Sequence, residues 1–250
     1  MPLTGTRDLS NILAASAIVP VGKEEHWELP GAQILQLMYE IDDSGMTSLL
    51  PPALHPTVPP TVVFTVTRAP ESPAGPFVLA QVRVGCRSGA RPRGFSAAAY
   101  CDSPRATEAL RRNWGYPLEV AECSLVKRYD RIDAQVATAA GIVLKLSLMN
   151  PEPIGGNDLL YLSTLNVARV ERDGIVSGRL VQVDPDYVFR SADRGKPQLE
   201  VFDVPAWQLE GARTNWPVSA SYAVADVTMP ALRYLVDPVK APLASVERVG

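Results

Sequence analysis

A chain of 250 residues, 46% hydrophobic and 20% charged, carries enough apolar material for a substantial core and lacks the composition of a disordered protein. A net charge of −3 and a pI near 5.5 offer nothing that would draw this surface to nucleic acid or acidic lipid. Of 24 basic residues only five are lysine (Lys23, Lys127, Lys145, Lys196 and Lys240), so amine-based covalent chemistry has few candidates.

In chain order, the first apolar stretch, Ile12 to Val21, is interrupted by Ser16 and Pro20 and is preceded by Asn11. It has no basic flank, because Arg7 is followed by Asp8, so neither a secretory signal nor a membrane span is expected. Residues 1–24 read as an N-terminal arm or helix and 25–250 as a single domain. Short β-prone runs separated by Pro, Gly and Asp then dominate. Strands are predicted at Ala32 to Tyr39, Thr61 to Thr67, Phe77 to Val84 and Phe95 to Cys101. A helix is predicted over Pro104 to Trp114, with Ser103 as its cap, Pro104 at its first position and Gly115 ending it. Tyr129 to Val136 and Gly141 to Leu148 form a predicted hairpin turning near Ala139-Ala140-Gly141. Leu160 to Val170, Gly178 to Val183, Gln198 to Val201 and Ser219 to Val227 complete the strands. Short helices are expected at Ser44 to Leu50 and Met229 to Val236, and a loop at Pro151 to Asn157 that is either a domain boundary or a long crossover inside one domain. Many evenly spaced strands imply a barrel or sandwich rather than βαβ units.

The usual catalytic constellations are missing. Three widely spaced cysteines (Cys86, Cys101, Cys123) imply neither a disulfide framework nor a zinc site and fit a reducing cytoplasm. His26, in Glu24-Glu25-His26-Trp27-Glu28, has no ligand cluster to complete a metal site, and His55 sits in a proline-flanked loop. No GxSxG elbow, Walker loop or GxGxxG after a strand occurs, so no metal or cofactor is expected. Lys145 alternates with Leu144 and Leu146 and reads as a solvent-facing residue on a half-buried strand.

The order of several motifs resembles the acetoacetate decarboxylase family over about residues 25 to 240. Tyr39 leads through an acidic stretch to Leu49-Leu50-Pro51, and Ser72-Pro73-Ala74-Gly75-Pro76-Phe77 is similar to the family's Gly-x-Tyr turn. Ala99-Tyr100-Cys101-Asp102 is similar to its Tyr-x-Asp, and Trp114-Gly115-Tyr116-Pro117 to its Gly-Tyr-Pro before two lysines. Met229-Pro230 leading to Tyr234 resembles the family's closing helix. The resemblance implies a mainly β (α+β) fold: a closed antiparallel β-barrel or cone around a central apolar pocket, with a few short helices, in a homo-oligomer. It also implies a lysine Schiff base with a β-keto acid, and there the chain departs. The two lysine positions read Leu118 and Glu119, the substrate-binding arginine falls at Ala32, and the glutamates fall at Leu79 and near Phe64 or Thr65.

Such a pocket, emptied of its amine and carboxylate anchor, suits a larger and less charged ligand. Glu119, if buried, would serve as a general acid or base, with Tyr116 beside it as a hydrogen-bond donor. Gln36 shares a strand face with Ala32, Gln81 shares one with Leu79, and Arg83 extends the latter toward the pocket mouth. Together with Phe64 and Leu118 these are the expected substrate-binding residues. The expected function is a cytoplasmic enzyme of specialised metabolism that cyclises or dehydrates an apolar, polyketide-like carbonyl compound by non-covalent catalysis. The alternatives are a non-catalytic carrier or sensor, and an aldolase, dehydratase or decarboxylase with a relocated lysine. No nucleic acid and no membrane is expected as a partner.

Overall fold

A computed structural model describes residues 3–22, 25–89 and 91–249; Lys23 and Glu24 of the sequence reading lie outside them. Among the described residues two α-helices, α1 (Ser10–Ala15) and α2 (Pro104–Trp114), accompany sixteen strands. The first half of the chain holds β1 (Ile18–Pro20), β2 (Trp27–Ile41), β3 (His55–Pro56), β4 (Thr61–Ala69), β5 (Phe77–Ser88), β6 (Arg91–Cys101), β7 (Leu118–Val120) and β8 (Glu122–Lys127). The second half holds β9 (Arg131–Thr138), β10 (Gly141–Ile154), β11 (Thr164–Arg172), β12 (Ile175–Val183), β13 (Asp186–Phe202), β14 (Thr214–Met229), β15 (Tyr234–Val236) and β16 (Val246–Arg248). Among the described residues no helix is long and apolar enough to cross a membrane.

All sixteen strands belong to one sheet, with the path β16-β15-β12-β11-β6-β5-β4-β2-β14-β13-β10-β9-β8 and with β1, β3 and β7 added to β11, β5 and β6. The mainly β character expected from the sequence is therefore present, but hydrogen bonds do not close the sheet into a barrel. Its path ends at β16 and β8, and three of its pairings, β1 with β11, β6 with β7 and β6 with β11, are parallel. Parallel neighbours need a crossover rather than a tight turn, and α2 is that crossover between β6 and β7. The N-terminal segment expected to form an arm contributes β1 to the same sheet.

Both faces of β5 are covered, so it is almost continuously buried although it carries Gln81 and Arg83. Val78, Ala80, Val82 and Val84 point into one core with Leu35, Leu37, Phe64 and Trp207. Phe77 and Leu79 point the other way, into a second core with Leu29, Ile34, Trp114, Tyr116 and Val227. The period of two alone separates these sets. Helix α2 has the predicted bounds: Ser103 accepts from the Ala106 amide at 3.3 Å, Pro104 occupies the first turn, and Gly115 closes it in the left-handed region at φ 64°. Trp114 anchors the helix, donating to the Pro230 carbonyl at 2.8 Å and meeting Trp27 edge-on at 5.2 Å.

Four local expectations are corrected. Met229 to Val236 is not a helix: β14 ends at Met229, Pro230 interrupts, and Tyr234–Val236 pairs with the edge of β12. Ser44 to Leu50 contains only a 3₁₀ turn at Asp43–Gly45 followed by further turns. The loop expected at Pro151 to Asn157 is largely strand, because Asn150 at φ 52° forms a bulge that absorbs Pro151 and lets Pro153 pair with Asp193. Gln198 to Val201 belongs to the end of a 17-residue strand in which exposed and partly buried positions largely alternate.

Candidate functional site

The second core is not completely filled. A cavity of about 50 Å³ opens between β2, β4, β5, β14 and the segments carrying Tyr116, Tyr161 and Tyr187. Strand alternation supplies its wall: Thr65 and Thr67 from β4, Phe77, Leu79, Gln81 and Arg83 from β5, and Val227 and Met229 from β14. Tyr116 arrives by a different route, immediately after the Gly115 turn that ends α2.

Among the described residues Arg83 is the only charged one on this wall, and it is almost wholly inaccessible, at 4% exposure. Its Nη1 donates to the Leu162 carbonyl at 2.7 Å and to Thr164 Oγ1 at 3.1 Å. Its Nη2 donates to Thr65 Oγ1 at 2.6 Å and, at a longer 3.5 Å, to Gln36 Oε1. Gln36 Nε2 in turn donates to the Leu160 carbonyl at 3.2 Å. Every one of these acceptors is neutral. The Arg83 Nε and the Gln81 Nε2 are buried without a hydrogen-bond partner. The Tyr161 hydroxyl lies toward Ser221 and makes no hydrogen bond of good geometry.

Burial dominates the electrostatics. It lowers the Arg83 pKa, opposed by the neighbouring Tyr187, Tyr116 and Tyr161. It raises Tyr116 and Tyr161 well above the ordinary phenol value and pushes Tyr187 up to about 12, with Arg83 pulling each back. All three tyrosines are therefore neutral hydroxyl groups at physiological pH. A neutral phenol, an unpaired amide and an unpaired guanidinium N–H together make a set of donors suited to a negatively charged oxygen.

Four of the sequence-predicted residues line the cavity, Leu79, Gln81, Arg83 and Tyr116, and Gln36 stands behind them, accepting from Arg83. The other four lie away from it. Phe64 points to the opposite core, edge-on to Tyr39 at 6.0 Å and to Phe202 at 4.9 Å; its neighbour Thr65 takes the cavity position. Ala32 is buried in the second core away from the cavity wall. Leu118 and Glu119 border a separate surface hollow with Asn11, Arg111 and Gln208, and Glu119 is exposed there, so it lacks the burial its expected acid–base role required. Tyr116 separates that hollow from the cavity. The cavity is small for the larger ligand expected, and Arg83 stands on its buried wall and not at a mouth. Thr164, Tyr161 and Tyr187 were missed, since the first lies in a predicted strand without a distinguishing pattern and Tyr187 opens a strand not recognised.

Among the described lysines none lines the cavity. Lys127 pairs with Asp193 at 2.9 Å, Lys145 with Glu200 at 2.6 Å and Lys240 with Asp237 at 3.2 Å, while Lys196 is exposed. His26 is exposed, and His55 Nδ1 donates to the Leu3 carbonyl at 2.7 Å. No group of three or more His, Cys, Asp or Glu among the described residues is arranged to hold a metal ion.

The fold is shared with solved structures. An acetoacetate decarboxylase from Legionella pneumophila superposes with a TM-score of 0.74 at 19% identity, covering 86% of this chain and 88% of that one. The enduracididine biosynthesis enzyme MppR, complexed with the condensation product of pyruvate and imidazole 4-carboxaldehyde, gives 0.65 at 16% identity over 84% and 89%. An acetoacetate decarboxylase-like enzyme from Sphingomonas wittichii RW1 gives 0.66 at 16% over 84% and 92%. No curated protein sequence matches significantly. The family model for acetoacetate decarboxylase (ADC) matches residues 15–239, and the chain belongs to that family.

Proposed function

We propose that this chain is an enzyme that holds a small carbonyl compound in the cavity and turns it over without a lysine Schiff base. The carrying observation is the convergence of Gln81, Arg83 and the neutral Tyr116 on a cavity whose described wall has no amine. Such donors stabilise the oxyanion that forms when a carbonyl enolises, and in a water-poor site each is worth more than in solution. Dehydration or cyclisation through an enolate fits this set: the donors hold the oxygen anion, the α-proton leaves carbon to a water admitted with the substrate, since the described wall offers donors and no base, and no covalent amine is needed. A ligand much larger than a handful of heavy atoms would require the cavity to widen. Tyr116 replaces Glu119 as the group we place at the reacting oxygen, because only Tyr116 faces the cavity.

One observation favours the carrier reading: among the described residues the wall has no carboxylate, histidine or amine to take a proton from carbon. Exchange of α-protons separates the two readings without knowledge of the natural substrate. Short ketones and β-hydroxyketones are incubated in D₂O with the protein, and deuterium incorporation is followed by NMR. The enzyme reading expects exchange above background, reduced about a hundredfold in Tyr116→Phe and unchanged in Glu119→Gln, with no mass gained on borohydride treatment. Background exchange across the panel, alongside measurable binding, would establish the carrier instead.

A further inference from the structure

We propose that residues 155–163 form a cover over the cavity, and that Tyr161, carried on its inner side, sets the size of ligand the cavity takes. The proposal rests on the reading above and names its substrate class: a carbonyl compound with a flat apolar tail, whose ring takes the place of the Tyr161 ring. The sequence predicts a strand from Leu160, but β11 begins only at Thr164. Between the 3₁₀ turn Gly156–Asp158 and that strand, residues 159–163 have no regular structure.

The first observation is how the segment is fastened. Its ends are tied by backbone: the Asp158 amide donates to the Gly155 carbonyl at 3.0 Å, and the Gly94 amide donates to the Ser163 carbonyl at 2.9 Å. In between, Leu160, Tyr161 and Leu162 make no backbone–backbone hydrogen bond among the described residues. Two side chains hold them instead. Gln36 Nε2 donates to the Leu160 carbonyl at 3.2 Å, and Arg83 Nη1 donates to the Leu162 carbonyl at 2.7 Å. Lifting the segment breaks those two bonds and no sheet ladder, which puts it among the least costly parts of the fold to open.

The second observation is where Tyr161 stands. Among the described residues lining the cavity, Thr67, Tyr161, Pro185 and Tyr187 are half-buried and the others are buried, so the short way to solvent is on this side. The Tyr161 ring blocks it, meeting Tyr187 edge-on at 5.0 Å and leaning on Phe189 at 5.8 Å, while Tyr187 and Phe189 stack at 5.9 Å. Its hydroxyl is buried without a hydrogen-bond partner, so the ring and not the oxygen holds the residue in place. Leu160 beside it faces solvent. A cavity of about 50 Å³ admits only a few atoms, and withdrawing Tyr161 adds room for one ring beside Tyr187 and Phe189. A ligand ring there inherits the aromatic contacts that Tyr161 now makes.

The test uses two neutral ketones on the full-length protein, butanone and 4-phenylbutan-2-one, with binding followed by calorimetry and ligand-observed NMR. Tyr161→Ala should bind 4-phenylbutan-2-one about tenfold or more tightly than the wild type does, and butanone should change by less than about threefold. Tyr161→Phe keeps the ring, so it should keep the wild-type preference and lose no heat stability, because the hydroxyl removed has no partner. Opening is read separately by brief chymotrypsin digestion of the native protein, with cuts at residues 159–162 measured against the cut after the fully exposed Tyr129. Relative to that reference, butanone should slow cutting of the segment and 4-phenylbutan-2-one should speed it. Gln36→Ala, which frees the Leu160 carbonyl, should speed it without ligand. Equal tightening of both ketones in Tyr161→Ala or tightening of neither, a preference changed as much by Tyr161→Phe, or cutting indifferent to ligand and to Gln36→Ala would each overturn the proposal. If Tyr161→Ala does not fold, Tyr161→Val carries the binding comparison and digestion of the wild type still decides. Background α-proton exchange with the size effect intact defeats only the enzyme reading, and exchange above background without the size effect defeats only this one.

Discussion

Replacing Gly115 by Ala perturbs the corner that delivers Tyr116 to the cavity. Gly115 sits at φ 64° and ψ 23°, and its amide donates to the Arg111 carbonyl at 3.0 Å to close α2. An alanine there pays about 1–2 kcal/mol for the left-handed backbone. Its Cβ would also lie 2.6 Å from Ala168 Cβ and 3.4 Å from methyl groups of Val181 and Val19. Ala168 Cβ is fixed to the backbone of β11 and has no rotamer to yield, so overpacking adds about 1–3 kcal/mol. Gly115→Ala should therefore destabilise by about 2–5 kcal/mol, read from urea unfolding at constant m-value. Ala168→Gly removes the atom that is struck and by itself costs about 1 kcal/mol. Because the clash is shared, the double variant should be more stable than the sum of the two by about 1–3 kcal/mol. Additivity within about 0.5 kcal/mol, or a Gly115→Ala cost below about 1 kcal/mol, would refute the placement of this turn against β11.

Two further outcomes follow from the buried phenols and the paired lysine. Tyr116, Tyr161 and Tyr187 have pKa values raised by burial, Tyr187 to about 12, whereas unfolded tyrosine titrates near about 10. The unfolded state therefore loses these protons first, so their contribution to stability is intact below about pH 10 and falls by about 1.4 kcal/mol per pH unit per tyrosine above it, until the folded groups titrate. Urea unfolding across pH 8 to 11, with tyrosinate absorbance of the native protein, checks this; full ionisation of all eight tyrosines near pH 10 without unfolding contradicts it. Lys145→Ala should cost no more than about 1 kcal/mol, because its pair with Glu200 is partly exposed, and should leave α-proton exchange untouched. A large loss of exchange in that variant would revive the relocated-lysine reading.

Local chemistry wrote several parts of this molecule into its sequence. Ser103, Pro104 and Gly115 bound α2 because capping, a fixed φ and left-handed tolerance act over only a few residues. Alternation along β5 likewise put Leu79, Gln81 and Arg83 on one face, since side chains of a strand have a period of two whatever its neighbours are. The same rule failed where a residue's neighbours had to be known. Phe64 and Thr65 differ by one position, and only the pairing of β4 with β2 and β5 decides which of them meets the cavity. Tyr234–Val236 became a strand because β12 offered an open edge, and the polar stretch of β13 because β10 and β14 flank it. Glu119 was drawn to solvent and Tyr116 to the cavity by the crossover of α2 into a parallel pairing with β6, which no local pattern encodes. The clearest case is Arg83. The scarcity of lysine and the replacement of the family's lysine pair by Leu118 and Glu119 were readable from residues alone, and they implied a larger and less charged ligand. The charge balance of that pocket was settled by partners 18 to 81 residues away, from β2, β4, β11 and the segment before it. Burial and compensation of a charge are properties of everything packed around it, so only the tertiary structure decided that a cation lies there with a donor to spare.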